Sequence, residues 1–283
     1  MDRRGVGLLH PGEMGTAVGA QAKAAGFPVY WHPEGRGERT RERAGRAGFL
    51  AVDTLADLAG TCWLIVSVCP PAAALEVAEQ VAASGFTGAY LEANAISPDL
   101  SRRIADLLGA GGVEVVDGGI VGPPPRRAGT TRLYLSGPEP VTSQVAEAFA
   151  GTALESSTLD GPVGRASALK LAFASYNKVS YVLAAQAGAL AAAHGVLPDL
   201  LELAGRALPG SPLAQPERLA GTAGRAWRWA PEMRQLAETC TAAGLAPDLA
   251  LAAEALLDRW SAHKDDPDVP LDRLLADLTD DGA

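Results

Sequence analysis

The sequence predicts an α/β protein: a doubly wound parallel sheet in the N-terminal part, then an all-α C-terminal part built on one long helix. Three observations carry this. Short apolar runs alternate with longer Ala/Leu-patterned segments through the first half, which is the mark of a parallel sheet with helices on its faces. After Gly164 no strand-like run bounded by turn residues follows. A chain of 283 residues is also long for one core and comfortable for two, since domains usually run about 100–200 residues. The expected division is 1–162 and 163–283.

Taken in order, residues 5–9, 29–31, 63–69, 89–92, 113–117 and 132–135 read as strands. A helical pattern without proline runs from 165 to 194, roughly 45 Å at 1.5 Å per residue, until Gly195 and Pro198 stop it. Shorter helices are expected near 198–207, 231–243 and 247–262, and the acidic tail 265–283 is expected to be partly mobile. There is no internal repeat.

Composition narrows the function. Hydrophobic residues make up 48% and charged residues 20%, which excludes a disordered tail protein and a coiled coil. With 33 acidic against 24 basic residues the formal charge is -9, so a phosphate backbone would be repelled and nucleic acid is not an expected partner. The run before His10 is too short for a secretory signal, which points to the cytoplasm. The most membrane-like stretch, 181–197, is mostly Ala and is broken by Gln186, Gly188, His194 and Gly195, so no membrane span is expected. Cys62, Cys69 and Cys240 show neither a paired framework nor metal-ligand spacing, so they read as reduced and structural, with no metal site.

The first strand leads into His10-Pro11-Gly12-Glu13-Met14-Gly15 and then an Ala-rich helix. Strand, tight turn and helix stand in the order of a dinucleotide-binding loop. Gly12 would let the backbone approach a pyrophosphate, Gly15 would let the helix pack on the strand, and the free amides at the helix start offer an anion site. The first glycine of Gly-x-Gly-x-x-Gly is His10 here, which reads as a packing or hydrogen-bonding residue. Beyond the second strand, where an adenosine ribose is read, two signals oppose each other. Glu34 could bind a free 2′-hydroxyl, as NAD(H) requires, whereas Arg36 and Arg39 could bind the 2′-phosphate of NADP(H). The arginines outweigh the glutamate, because a guanidinium can reach from a flexible loop.

The stretches from Val6 to Gly15, Asp117-Gly118-Gly119-Ile120-Val121-Gly122-Pro123-Pro124, and Gly164 to Asn177 with Lys170 resemble the β-hydroxyacid dehydrogenases related to 6-phosphogluconate dehydrogenase. The segment from Ala226 to Met233 is similar to the subgroup that carries DUF1932. The resemblance spans nearly all of the chain. It implies a Rossmann domain, a helical domain on a long interdomain helix, and hydride transfer with a nicotinamide cofactor. By family position, Val68, Cys69, Pro70, Pro71 and Asn94 should border the nicotinamide and its ribose.

Only four lysines occur, and Lys170 sits between apolar Leu169 and Leu171 near the start of the long helix. Desolvation disfavours an ammonium, which suits a lysine to donate or accept a proton; Lys170 is the expected general acid or base. On a 3.6-residue helix Ser167, Lys170, Ala174, Asn177 and Tyr181 form one stripe, and Tyr176 points away from it. Asn177 is therefore the second expected substrate-facing residue. Gly118, Gly119 and Gly122 read as exposed amides for a substrate carboxylate or carbonyl, with Val121 beside them. Trp229 could face the substrate from the C-terminal part with Arg228 and Glu232, or the last two could be structural.

Two departures from the family pattern stand out: Ala174 where the resemblance places an asparagine, and Val121 where it places a serine. They set an NADP(H)-dependent alcohol/ketone oxidoreductase on a 3-hydroxy-acid-like substrate against an imine reductase. A non-catalytic dinucleotide sensor is the reading from outside enzymology. The long Ala/Gly-rich helix, which one domain cannot cover, further predicts a homodimer.

Overall fold

The structure is a computed structural model and describes residues 4–279. The first three residues of the expected signal-free N-terminus and the last four of the tail lie outside the described residues. In chain order the first half comprises β1 (Gly5–Leu8), α1 (Glu13–Ala24), β2 (Val29–Trp31), α2 (Glu38–Ala47), β3 (Leu50–Ala51), α3 (Leu55–Thr61), β4 (Cys62–Ser67), α4 (Ala74–Ala83) and β5 (Ala89–Glu92). It continues through α5 (Pro98–Gly109), β6 (Glu114–Val121), β7 (Thr131–Ser136), α6 (Val141–Glu147) and β8 (Leu154–Thr158). The strands form one sheet in the order β3-β2-β1-β4-β5-β6-β7-β8. The order reverses between β1 and β4, and at such a switch point the carboxyl ends of an α/β sheet leave a ligand crevice.

Alternation along the strands builds two cores. Val6, Leu8, Leu64, Val66, Leu91 and Val116 pack with residues of α1, α2 and α6. Ile65, Tyr90 and Val115, one position over, pack with residues of α3, α4 and α5. Because side chains alternate with a period of two, this division is what double winding requires.

The sheet differs from the expected one in three ways. Two strands were not expected: β3 is two exposed residues, and β8, Leu-Glu-Ser-Ser-Thr, has no apolar alternation. The sheet is not wholly parallel, because β7 runs antiparallel to β6; the loop between them is too short for a parallel crossover. Strand β6 also continues beyond Asp117, where it was expected to end, to Val121, through the two glycines read as exposed amides.

The second half is helical: α7 (Arg165–Ala193), α8 (Leu197–Ala207), α9 (Arg218–Ala223), α10 (Ala226–Ala242), α11 (Asp248–Asp258) and α12 (Leu271–Ala276). Contacts divide the chain into Met1–Lys170 and Leu171–Ala283, a division that falls inside α7. The second unit has its own core, with Met233, Leu257, Trp260 and Leu274 at its centre. Each such side chain contributes about 1.5–3 kcal/mol on burial. Helix α10 starts five residues before Pro231, which was expected to open it.

The tail is not loose over its described part. Leu274 and Leu275 are buried, Trp260 Nε1 donates to the Leu274 carbonyl at 3.0 Å, and His263 meets Asp277 at 2.5 Å. The composition of 265–283 hides these few anchoring residues among acidic ones.

Candidate active site

The turn after β1 is shaped by its glycines. A Cβ on Gly15 would stand 2.1 Å from the His10 carbonyl oxygen, so only glycine lets α1 start so close to the strand. A Cβ on Gly12 would meet nothing within 4 Å, which leaves its backbone open to a ligand. The turn closes on itself, with the Gly12 N–H donating to the His10 carbonyl at 2.8 Å. Pro11 is buried beneath it, while Glu13 and Met14 are half-buried at the helix start. Three polar atoms, His10 Nδ1 and Thr16 Oγ1 at this turn and Arg36 Nε in the loop after β2, are buried without a hydrogen-bond partner. Native proteins seldom leave such atoms unpaired. Open backbone at Gly12 and three unsatisfied polar atoms around a helix N-terminus fit the phosphates of a dinucleotide.

Burial, followed by the nearby Arg36 guanidinium, holds the His10 imidazole down at about 4, so it is neutral at physiological pH. Glu34 is exposed and engages His32 Nε2 at 3.2 Å. Arg39 is exposed in the first turn of α2, whereas Arg36 is half-buried. The two arginines, read together from the sequence, therefore sit in different environments.

At the carboxyl ends of β4 and β5 a buried network joins Ser67, Cys69, Glu92 and Asn94. Asn94 Oδ1 accepts the Cys69 N–H at 2.5 Å, Asn94 Nδ2 donates to Ser67 Oγ at 3.1 Å, and the Asn94 N–H donates to Glu92 Oε1 at 3.0 Å. Asn94 is thus committed at both ends of its amide, and it fixes the Val68-Cys69-Pro70-Pro71 turn from below. Burial, and then the Glu92 charge, push the Cys69 thiol up to about 12, which keeps it protonated and rules it out as a thiolate nucleophile at neutral pH. Glu92 was not foreseen as part of this edge. Burial pushes its carboxyl up to about 8, assisted by nearby Asp117 and opposed by the Asn94 amide and Lys170. It is a mostly neutral acid at pH 7.

Asp117 is fully buried, and its carboxylate accepts five hydrogen bonds. Oδ2 takes the N–H groups of Gly164 at 2.9 Å and Ser167 at 3.0 Å and the Ser136 hydroxyl at 3.1 Å. Oδ1 takes the hydroxyls of Ser101 at 3.0 Å and Ser167 at 2.5 Å. Ser136 Oγ in turn accepts the Ala166 N–H at 3.0 Å. Strands β6 and β7 therefore cap the first turn of α7, where the local sequence Gly-Arg-Ala-Ser offers no capping side chain at Gly164. Ser167, read as part of a substrate-facing stripe, is consumed by this cap.

Lys170 follows one turn later. A Cβ on Gly119 would stand 2.7 Å from the Ala166 carbonyl oxygen and 3.3 Å from Lys170 Cβ, and one on Gly118 would stand 2.8 Å from Leu91. Here the expectation of exposed amides is corrected: Gly118 and Gly119 are buried in β6, glycine because helix and strand approach them closely. Val121 is half-buried at the strand end. Gly122 is exposed, and its φ of +123° with a Cβ position 2.3 Å from the Thr130 carbonyl oxygen requires glycine.

In the helical unit Ala174 is buried and Asn177 half-buried, while Tyr176 is 80% exposed. Trp229 packs edge-on against Tyr181, with ring centroids 6.0 Å apart, and Lys178 Nζ lies 5.1 Å from its ring. Glu232 pairs with Lys178 in a largely buried ion pair, so Glu232 takes the structural of its two readings.

A family model described as the NAD binding domain of 6-phosphogluconate dehydrogenase matches residues 5–159, more than half of the chain. The chain belongs to this family. It is an NAD(P)-dependent oxidoreductase whose N-terminal part takes a nicotinamide dinucleotide. A second model, the domain of unknown function DUF1932, matches residues 191–260. A comparison with curated proteins gives no match.

Among solved structures the fold is similar to 3-hydroxyisobutyrate dehydrogenase from Salmonella typhimurium, with TM-score 0.74, 19% identity, and 96% of this chain and 98% of that one covered. It is also similar to 3-hydroxyisobutyrate dehydrogenase from Mycobacterium tuberculosis with L-serine, with TM-score 0.68, 18% identity, and 98% and 99% covered. A reductive aminase from Aspergillus terreus in complex with NADPH and ethyl levulinate gives TM-score 0.62 and 18% identity, with 98% and 100% covered. Among the described residues no helix is long and apolar enough to cross a membrane.

Proposed function

We propose that this dehydrogenase uses NADP(H) to interconvert a secondary alcohol and a ketone on a small 3-hydroxy-acid-like substrate, with Lys170 moving the proton. The observation that carries the reading is Lys170 standing over Gly119 at the carboxyl edge of the sheet, the edge that also bears the Gly12 turn. When bound, the nicotinamide supplies or accepts the hydride. Lys170 as an ammonium would donate to the developing alkoxide in reduction, and as a neutral amine would accept the hydroxyl proton in oxidation. The Val68–Pro71 turn, buttressed by Asn94, would wall the nicotinamide. Val121 and Gly122 at the end of β6 are the proposed substrate contacts, and Asn177 and Trp229 are carried forward from the sequence as further candidates. Residues 1–162 would serve the cofactor and 163–283 the substrate and assembly. Three free cysteines suit a cytoplasmic site of action.

A second reading, reduction of an imine, is favoured by Val121 and Ala174 and by the likeness to a reductive aminase and to an imine reductase from Streptomyces aurantiacus. A panel of 3-hydroxy acids, their keto forms and cyclic imines, followed by absorbance of the reduced nicotinamide, separates the two. Turnover on imines alone would overturn the first reading.

NADP(H) preference rests on exposed Arg39. Its loss removes a charge-assisted phosphate contact of about 1.5–3 kcal/mol, so Arg39→Ala should raise the KM for NADPH at least tenfold while that for NADH stays within about two-fold. Equal effects on both cofactors would promote Glu34 as the ribose contact.

A homodimer is proposed through α7. Phe173, Tyr176, Leu183 and Leu190 are 50%, 80%, 51% and 63% exposed and recur along one side of that helix. Such an apolar stripe calls for a cover, and a second copy presents the same stripe. Light scattering should give twice 29.0 kDa, and a fully active monomer at micromolar concentration would defeat the assignment.

A further inference from the structure

One side chain at the dinucleotide turn departs from what a glycine fingerprint needs, and a second, outside the turn, shares its want of a partner. His10 stands where the first glycine would be, and its Nδ1 is buried without a partner. Arg36, in the loop after β2, is half-buried with Nε equally buried and equally unpartnered.

The loop that carries Arg36 is held firmly. Its N–H donates to the Pro33 carbonyl at 3.2 Å, while Arg41 on α2 donates from Nη2 to Pro33 at 2.7 Å and from Nε to the Arg36 carbonyl at 3.0 Å. On this fixed backbone the Arg36 side chain is half-buried, with Nε away from solvent. Its guanidinium acts electrostatically on His10, at the end of β1, and on Cys69, at the end of β4.

These two strands are neighbours at the point where the strand order reverses. A guanidinium within electrostatic reach of both strand ends can serve the crevice that a dinucleotide crosses with its diphosphate. A guanidinium with a buried N–H and no acceptor lacks an anion. Gly12, with open space where a Cβ would be, lets one approach. Neutral His10 brings a ring nitrogen to the same place, able to donate one hydrogen bond in the appropriate tautomer.

We propose that Arg36 and His10 together hold the diphosphate common to NADP(H) and NAD(H), and that Arg36 takes no part in telling the two cofactors apart. The inference rests on the nicotinamide-dinucleotide reading above and goes beyond it by dividing the labour between two arginines: Arg36 grips, Arg39 discriminates. It also gives a reason for histidine in place of the first glycine, since a glycine there would leave Arg36 to hold the phosphates without a neighbouring donor.

The test is equilibrium binding without substrate, read from the fluorescence of NADPH and of NADH on titration with the full chain. Arg36→Ala should weaken both dinucleotides by about 10- to 100-fold, the scale of a lost charge-assisted contact, with the ratio of the two Kd values held within about two-fold of the parent. Arg36→Lys should fall between the parent and the alanine variant. His10→Ala should weaken both by several-fold, and His10→Asn, which keeps an amide near the Nδ1 position, should recover much of the loss. Circular dichroism of each variant checks that the fold is intact.

If Arg36→Ala weakens NADPH while NADH is unchanged, Arg36 reads the 2′-phosphate and the proposal is overturned. It is equally overturned if neither dinucleotide is affected. A parent chain that binds neither NADPH nor NADH would instead defeat the cofactor reading itself, whereas binding without turnover would leave this proposal standing and weigh against Lys170.

Discussion

Lys170→Met is expected to lower turnover by about 10²–10⁴-fold, the usual contribution of general acid–base catalysis, while NADPH binds within about two-fold of the parent. Methionine matches the length and apolar stem of lysine, so packing over Gly119 survives and only the proton is lost. Lys170→Arg should fare no better: a guanidinium keeps the charge but does not give up its proton in a protein. The control requires care, because the other lysine of α7, Lys178, is tied to Glu232 and touches Trp229. Its removal would leave a largely buried carboxylate unpaired. Lys264, stacked on Trp227 with Nζ 4.1 Å from the ring centroid, is the better control, and Lys264→Met should keep parental turnover. If Lys170→Met stays within a few-fold of the parent on the best substrate, proton transfer belongs elsewhere and the imine reading gains.

What the sequence makes legible follows from which forces are local. Strands 29–31 and 89–92 are readable to the residue because each is a short apolar run closed by turn residues, and the long helix is readable because nothing within it breaks a helix. The missed strands β3 and β8 lack that signal. Their pairing partners, Tyr30 and Trp31 for β3 and residues 131–135 for β8, define them instead. At the site, the Gly12–Gly15 turn and Lys170 stand out locally, one by spacing and the other by rarity. Glu92 does not, because an acidic residue at a strand end looks like any solvated carboxylate until the sheet buries it. The error at Gly118 and Gly119 has the same origin: paired glycines suggest a loop, and only the arrival of α7 explains them as contact points inside a strand. Arg36 and Arg39 look equivalent in sequence, and only the folded chain tells them apart, Arg36 half-buried in the loop after β2 and Arg39 exposed on α2.

Asp117 supplies the other large expected effect, and two substitutions there should separate geometry from charge. Asp117→Ala removes the acceptor of the Gly164 and Ser167 amides at the start of α7. Each buried donor left unsatisfied costs about 1–3 kcal/mol, so a loss of roughly 3 kcal/mol or more is expected. For a chain of this size that lowers the thermal midpoint by about 6–12 °C. Turnover should fall as well, because the capped turn sets where Lys170 begins. Asp117→Asn is gentler. Its carbonyl can take the place of Oδ2 and accept both amides and the Ser136 hydroxyl, while its NH₂ takes the place of Oδ1 and donates to the Ser101 and Ser167 hydroxyls, which rotate to accept. What asparagine loses is the negative charge at a helix N-terminus, worth about 0.3–1 kcal/mol and up to about 2 when partly buried. The expected order of midpoints is therefore parent, Asn, Ala, with Asn the nearer to the parent. If Asn proves as damaging as Ala, the charge holds the helix and the hydrogen-bond count does not. If Ala melts within about 1 °C of the parent, the cap is dispensable and Lys170 must owe its position to the contact at Gly119 alone.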